Sequence, residues 1–502
     1  MISAAEAEAR PINRGLITLA VMISAVMVLI DMTIANVSLP HMMGALGATS
    51  DQITWVLTAY SMAEAIFIPM TSFFVAKLGT RKLFLISIIG FVVASMLCGQ
   101  AQTIEEMVFF RIIQGAFGAF MIPLAQSTLV RVYSEQQRDK AMAIFSIGIL
   151  LGPIIGPVLG GVITEHLDWR WIFYINLPIG LLCLGMIYRY LHLAEEDDSS
   201  SIDWGVVAMM ALGVASLQFF LDMGNEKDWL ESRVIQVALA LAVLGMAGWV
   251  YRSFKTRSDV APLWVARDRN LLVSSVMMAM VTMLLFGVVS QQPMMLEGLL
   301  HYPAATTGML MAPRGIAAAT MLLVIIKLDP PLGPRLKIAL GLCCCALGTY
   351  LMMSYSLNID FYWIIMPSII QGTGLGLVFA SLSSVAYTTV DKKDAVAAAS
   401  IFNLFRTIGS SIGISIVTTY QFRQAQQAWN ELGQGINPYS DSLQHWGQAS
   451  GLGSQSPQAL MVLQAQLAEQ SQLVAFVHVF GLIFIGFLLA VPLLLLFRLP
   501  KK

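Results

Sequence analysis

Fourteen separate stretches of this chain are each long and apolar enough to cross a lipid bilayer, and no other feature narrows its fold so far. A hydrocarbon core about 30 Å thick takes roughly 20 helical residues. Inside it, every backbone N–H and C=O must find a partner within the chain, which a helix supplies segment by segment. The sequence therefore predicts an all-α polytopic membrane protein, with spans near 15–39, 53–75, 83–100, 106–130, 141–164, 171–188, 204–223, 234–251, 271–292, 304–326, 338–356, 361–386, 395–420 and 472–497. With 57% hydrophobic and only 12% charged residues among 502, a soluble globular fold is excluded.

An even number of spans puts both termini on one side. Placing them in the cytoplasm leaves 22 of the 29 Lys and Arg in inside loops and tails, four outside (Arg170, Lys227, Arg233, Arg423) and three within spans (Arg111, Arg314, Arg406). That distribution obeys the positive-inside rule. With a net charge of −1, the basic loops read as topology determinants and not as a nucleic-acid surface. The first apolar run is too long for a signal peptide, contains Asp31 and lacks a small-residue cleavage site after it, so it is expected to stay as span one. All five cysteines (Cys98, Cys183, Cys343, Cys344, Cys345) fall within spans as packing residues. Three consecutive helical cysteines point about 100° apart and cannot face one ion, so no metal is expected. The six histidines form no constellation with a nucleophile, and GTGLGLVF sits in a helix, not after a strand, so neither an enzyme nor a cofactor is expected.

A charge at bilayer depth costs about 2.5–3.5 kcal/mol on insertion scales, so charged residues within spans are expected to face a protein interior. Arg111 shares its helical face with Gln114, Gly115 and Gly118. Asp31 and Arg111 are the leading candidates for proton coupling, with Glu64 in span two as a second acid. Structural pairing is the alternative use of Asp31. Gln114, Arg314 and Arg406 are candidate substrate-cavity residues. The two C-terminal cations point to acidic or amphipathic anionic cargo, with helix packing and carbonyl contacts as their alternative use. Asp222 and Glu297, near span ends, read as interfacial. The 30 Met and 25 Phe suit an adaptable apolar pocket, although most face lipid or core.

The segment Arg111–Gly156 aligns without a gap on Ser368–Gly413, matching at eleven of forty-six positions. This carries span four onto span twelve and span five onto span thirteen, a shift of eight helices and not six. Two helices, spans seven and eight, are therefore inserted between two six-helix halves, after the acidic and serine-rich linker 194–203. In span five, GILLGPIIGPVLGG places Gly148, Gly152, Gly156 and Gly160 at successive fours with Pro153, Pro157 and Gly161 among them. Residues four apart advance only about 40° around a helix, so these glycines make a slowly winding groove for a neighbouring helix. The prolines favour a bend.

Four blocks together, LIDMTIANVSLP, RIIQGAFGAF, the span-five array with WRWIFYINLPIG, and SFFVAKLGTRK, resemble the motifs of the fourteen-span drug:proton antiporters of the major facilitator superfamily, the EmrB/QacA type. The resemblance implies a major facilitator fold of two six-helix halves plus two inserted central helices, divided as 1–191, 192–269 and 270–502. It implies proton-coupled efflux of hydrophobic or amphipathic compounds from a bacterial inner membrane, with Arg111 involved in coupling and span five in conformational change. The loop block keeps Lys77, Gly79, Arg81 and Lys82 but has Ser72 for the family's glycine and Ala76 for its acid, which puts the family's conformational latch in doubt. A degenerate partner stands between spans ten and eleven as KLDPPLGPRLK. The glutamine-rich outside segment 421–471, with Ser456 and Pro457 suited to start a helix carrying Leu460, Leu463 and Leu467, is similar to the EmrB branch. That similarity implies a periplasmic membrane-fusion adaptor and an outer-membrane channel; a flexible loop is the alternative. A dedicated exporter or importer of a metabolite such as a siderophore would use the same fold. A non-transporting sensor or scaffold is a third reading.

Overall fold

A computed structural model describes residues 13–192, 203–256, 262–328, 332–434, 443–446 and 456–498. Most of the 194–203 linker, part of KLDPPLGPRLK and most of the middle of the outside segment lie outside the described residues. Fourteen helices are long and apolar enough to cross a membrane: α1 (Arg14–Leu39), α2 (Gln52–Leu78), α3 (Thr80–Gln100), α4 (Ile104–Val132), α5 (Lys140–His166), α6 (Trp171–Tyr190), α7 (Trp204–Met223), α8 (Arg233–Thr256), α9 (Arg269–Leu299), α10 (Thr306–Lys327), α11 (Pro334–Met352), α12 (Phe361–Ala386), α13 (Lys392–Gln434) and α14 (Pro457–Leu496). The protein is a multi-pass membrane protein, and each helix falls where its apolar run predicts. Polar caps start several of them. Thr49 and Gln52 exchange side-chain and backbone hydrogen bonds as a capping box, and Thr103 and Asp268 accept from Glu106 N and Leu271 N. Gly79, at φ 79°, turns the chain directly from α2 into α3.

The internal repeat reappears as repeated helix pairing. A Cβ on Gly152 or Gly156 would fall on Leu29 or Thr33 of α1, and one on Gly409 or Gly413 would fall on the backbone of Ala279 or Met283 of α9. So α5 rides on α1 as α13 rides on α9. The same holds one helix earlier: Gly115 of α4 meets the Tyr60 carbonyl of α2, and Gly372 of α12 meets the Arg314 carbonyl of α10. Each half thus forms its own bundle, α1–α6 and α9–α14. The halves meet where α5 packs on α10 and α12, and where α2 and α4 pack on α13.

The inserted pair α7 and α8 is itself welded by glycines, Gly213 against Gly245. Asp203 caps α7 by accepting from Gly205 N and Val206 N, and Arg252 of α8 holds it at 2.9 Å. The hydrogen bond from Arg252 keeps the Asp203 carboxyl below its ordinary range, so this tie is present at neutral pH and weakens as acidification protonates it. On its far side α7 lies along the seam between α2 and α13. Trp55 and Phe219 stack at 5.9 Å, Gln218 donates to Ser411 at 3.0 Å, and Ser415 donates to the Leu221 carbonyl at 2.7 Å. Asp222 is therefore no free interfacial acid, since Gln218 donates to both its oxygens. Glu297 is exposed, on a π-helical turn closing α9.

The segment 421–471 departs most from a loop at its two described ends. One helix runs unbroken for 40 residues, Ala395–Gln434, and its partner starts at Pro457, where Ser456 accepts from Ala459 N. Gln421 donates to Gln472 at 2.6 Å, bracing the two where they leave the apolar region. Gln and Ala are adequate helix formers, so each helix persists beyond its apolar stretch. Leu463 and Leu467 are partly buried there, whereas Leu460 is exposed.

Replacing Gly413 with Ala should cost about 1–3 kcal/mol through overpacking against the Met283 backbone. Gly185→Ala, with nothing within 4 Å of the added Cβ, should be neutral or stabilising. Thermal unfolding of the two variants in detergent gives the comparison; equal midpoints would contradict the packing.

Candidate functional site

Two adjoining features occupy the centre of the molecule: a ring of buried polar groups in the first half and an apolar cavity between the halves. The ring is built on Asp31 of α1, which is 1% exposed. Its Oδ2 accepts from Arg111 Nη1 at 2.6 Å, while Oδ1 accepts from Gln114 Nε2 at 2.8 Å and Asn176 Nδ2 at 2.7 Å. Arg111 also donates to the Val56 carbonyl at 3.0 Å and to Gln114 Oε1 at 2.8 Å. The three-residue spacing of Arg111 and Gln114 puts both on one face of α4, so a single acid on α1 can hold both. Asn176 is fixed by Ser95, whose hydroxyl donates to the Phe173 carbonyl. Hydrogen bonds to an ionised group are the short, strong kind, and three converge on this one carboxylate.

The Arg111 guanidinium lies 4.2 Å from the ring centroid of Tyr60. One turn further along α2 is Glu64, 2% exposed, whose Oε2 has no partner among the described residues; the buried Tyr60 hydroxyl has none either. Glu64 faces Arg406 across the seam between the halves without closing an ion pair with it. Arg406 is instead held by Asn403 Oδ1 at 3.1 Å, and Asn403 donates to Gln126 Oε1 of α4 at 2.6 Å. Gln126 Oε1 also takes the Tyr387 hydroxyl at 3.0 Å, and the Tyr387 carbonyl takes Arg138 at 2.7 Å. This largely uncharged knot ties the halves near the face from which α1 starts and at which α14 ends. The loop between α2 and α3 carries Ala76 and no acid. In that loop Arg81 stacks on Tyr188 and donates to its carbonyl, Gly79 makes the turn, and Lys77 and Lys82 are exposed.

The cavity is lined from both halves by Leu29, Ile149, Leu150, Pro153, Thr282, Leu285, Phe286, Val289, Arg314, Ala318, Leu375, Phe379 and Arg406. Of the sequence candidates, Arg314 and Arg406 reach it; Gln114 does not, being spent on the Asp31 ring. Pro153 opens onto it, while Gly148, Gly152, Gly156 and Gly160 face α1; Pro157 and Gly161 are partly exposed. Asn176, Ser95 and Tyr60 escaped the sequence reading. The one available signal was the polar Asn176 inside the apolar run WIFYINLPIG.

These helix pairings place the chain among known proteins. The Major Facilitator Superfamily sequence model matches residues 21–414. The chain belongs to that superfamily. Multidrug export protein EmrB of Haemophilus influenzae is 31% identical over 484 residues, covering 95% of this chain and 95% of that protein. Fatty acid resistance protein FarB of Neisseria gonorrhoeae is 29% identical over 486 residues, covering 96% of each. The crystal structure of the human organic anion transporter MFSD10 superposes with a TM-score of 0.63 at 13% identity, covering 96% of this chain and 100% of that one. A bacterial homologue of the human lysosomal transporter Spinster gives 0.55 at 16% identity, covering 96% and 98%. Both share this major facilitator fold.

Removing one partner of the buried pair, as in Arg111→Met, should cost roughly 3–5 kcal/mol. Adding Asp31→Leu should return part of that loss, because the stranded carboxylate goes with it. A double-mutant cycle of thermal midpoints measures this, and strict additivity would show that the pair is not coupled.

Proposed function

We propose that this major facilitator protein expels hydrophobic or amphipathic compounds by alternating access, driven by inward proton movement. Relatives named for multidrug export and fatty acid resistance, matching nearly end to end, support the efflux reading. The observation that carries the proton part is Glu64. It is a buried carboxyl with an unpartnered oxygen, on the first half, opposite an arginine of the second.

Asp31, Arg111 and Glu64 divide the work. Asp31 accepts three hydrogen bonds, from Arg111, Gln114 and Asn176; its role is to hold Arg111 and Gln114. Glu64 has room for a proton. When neutral it can stay buried at little cost; when charged it draws Arg406 toward α2. Proton gain and loss at Glu64 thereby changes the attraction between the halves, and the glycine groove between α5 and α1 lets the α5 wall of the cavity shift against its support. Cargo occupies the cavity beside this charge array, where Glu64 itself is not a lining residue.

The termini, on this reading, are cytoplasmic and the membrane is the bacterial inner membrane, as the 22 inside cations favour. The working division is 1–191, 192–269 and 270–502. The helical extensions of α13 and α14 then stand in the periplasm. There, exposed Phe422, Leu432, Leu460, Met461 and Val462 offer apolar surface to a membrane-fusion adaptor leading to an outer-membrane channel.

The test is pH-gradient-driven accumulation of lipophilic acids, cations and neutral dyes in proteoliposomes, alongside substrate exchange with no gradient. Glu64→Gln should lower gradient-driven accumulation at least about tenfold while exchange persists. Normal gradient dependence in that variant would remove Glu64 from coupling, and a wild type that moves no compound would remove the efflux reading.

A further inference from the structure

Three of the buried arginines, Arg111, Arg314 and Arg406, lie within membrane spans, and their partners differ. Arg111 is neutralised by Asp31. Arg406 is held by Asn403 and faces Glu64. Arg314, 1% exposed, shares the amide contact but has no acid partner among the described residues. One of its terminal nitrogens donates to Gln292 Oε1, and its Nε and Nη1 have no hydrogen-bond partner. Among the described residues no carboxylate pairs with it.

A guanidinium held in an apolar interior with donors unused and charge uncompensated is a standing penalty. The chain does not relieve it by letting the side chain swing. Gln292 donates from Nε2 to Ser368 at 3.4 Å, which turns its carbonyl oxygen toward Arg314, and the α10 backbone at Arg314 is gripped by Gly372. The orientation is thus set in advance, and Arg314 lines the cavity with aliphatic and aromatic walls such as Leu29, Leu285, Phe286 and Phe379. We infer that Arg314, oriented by Gln292, is the seat for the anionic head of an amphipathic organic cargo, whose apolar body fills the rest of the cavity.

This rests on the efflux reading for its setting but not for its chemistry. A carboxylate at Arg314 supplies both missing acceptors and the missing counter-charge in one group. A neutral cargo supplies acceptors alone, and a cationic one adds repulsion. Arg406 is a poorer seat, because its Nε is already bonded and a carboxyl faces it from α2. Arg314 is therefore the residue that discriminates by charge, and Gln292 positions it.

The experiment measures binding of 2-naphthoate, 2-naphthamide and 2-naphthylmethylammonium, one shape with three charges, by calorimetry on the full chain in lipid nanodiscs. Wild type should bind naphthoate most tightly. In Arg314→Gln the ratio of naphthoate to naphthamide affinity should fall at least about tenfold, the size of one charge-assisted hydrogen bond. Arg314→Lys should recover part of the ratio, since it restores charge without the fork. Equal affinity for all three compounds in wild type, a ratio that survives Arg314→Gln, or an equal fall for acid and amide would each overturn the inference. The proteoliposome panel separates this from the efflux reading. Gradient-driven movement of any lipophilic compound, with no naphthoate preference, leaves efflux standing and removes the anion seat. Arg314-dependent naphthoate binding with nothing moved leaves the seat and removes efflux.

Discussion

Helices in lipid gain little from the hydrophobic effect when they touch, so close backbone approach has to supply the contact. That constraint governs this protein. Where Gly156 meets Thr33 and Ile30, and Gly413 meets Met283, no side chain larger than hydrogen fits. The two bundles exist because each repeats the same tight crossings, and the cavity exists because the crossings fix where α1, α5, α9, α10, α12 and α13 stand. The Asp31 ring depends on it too: three helices bring Asp31, Arg111 and Asn176 within hydrogen-bond reach only if α1, α4 and α6 are held in register.

Within that frame, charge is handled in two opposite ways. Around Asp31 it is compensated, with both carboxylate oxygens bonded and the guanidinium, its Nη2 left unbonded, stacked on an aromatic face. Around Glu64 and Arg314 it is left open, with buried atoms that have no partner. The compensated centre stiffens the first half. The open groups lie at or beside the boundary between halves, where a transporter has to exchange contacts as it turns.

Much of this was legible before any coordinates. The span count, the eight-helix shift of the repeat and the groove of α5 follow from apolar run length and glycine spacing, which register backbone chemistry directly. The pairing of Asp31 with Arg111 was legible too, since each is too costly to face lipid. Other features were not. Asn176 sits in an apolar run and becomes a ligand of Asp31 only through the rotation of α6, which hydropathy does not encode. The knot of Gln126, Tyr387 and Asn403 joins residues up to 277 positions apart, each unremarkable alone. Gln114 went the other way: its face was legible, but whether that face meets the cavity or a neighbouring helix depends on how the bundle closes. The helix start at Ser456 and Pro457 was legible from its capping chemistry, but the extension of α13 escaped because an apolar window ends where lipid ends, whereas helix does not.

The unbroken course of Ala395–Gln434 has a mechanical meaning. Its 40 residues make a rod about 60 Å long, and Arg406 sits roughly a quarter of the way along it. Any tilt of α13 that accompanies a change at the Glu64–Arg406 seam and is carried through the unbroken, proline-free helix swings the far tip as well. For a pivot near Arg406, about 10° of tilt displaces the tip by roughly 7 Å. The rod is thus a lever, and a small rotation at its buried end becomes a large displacement at its projecting one.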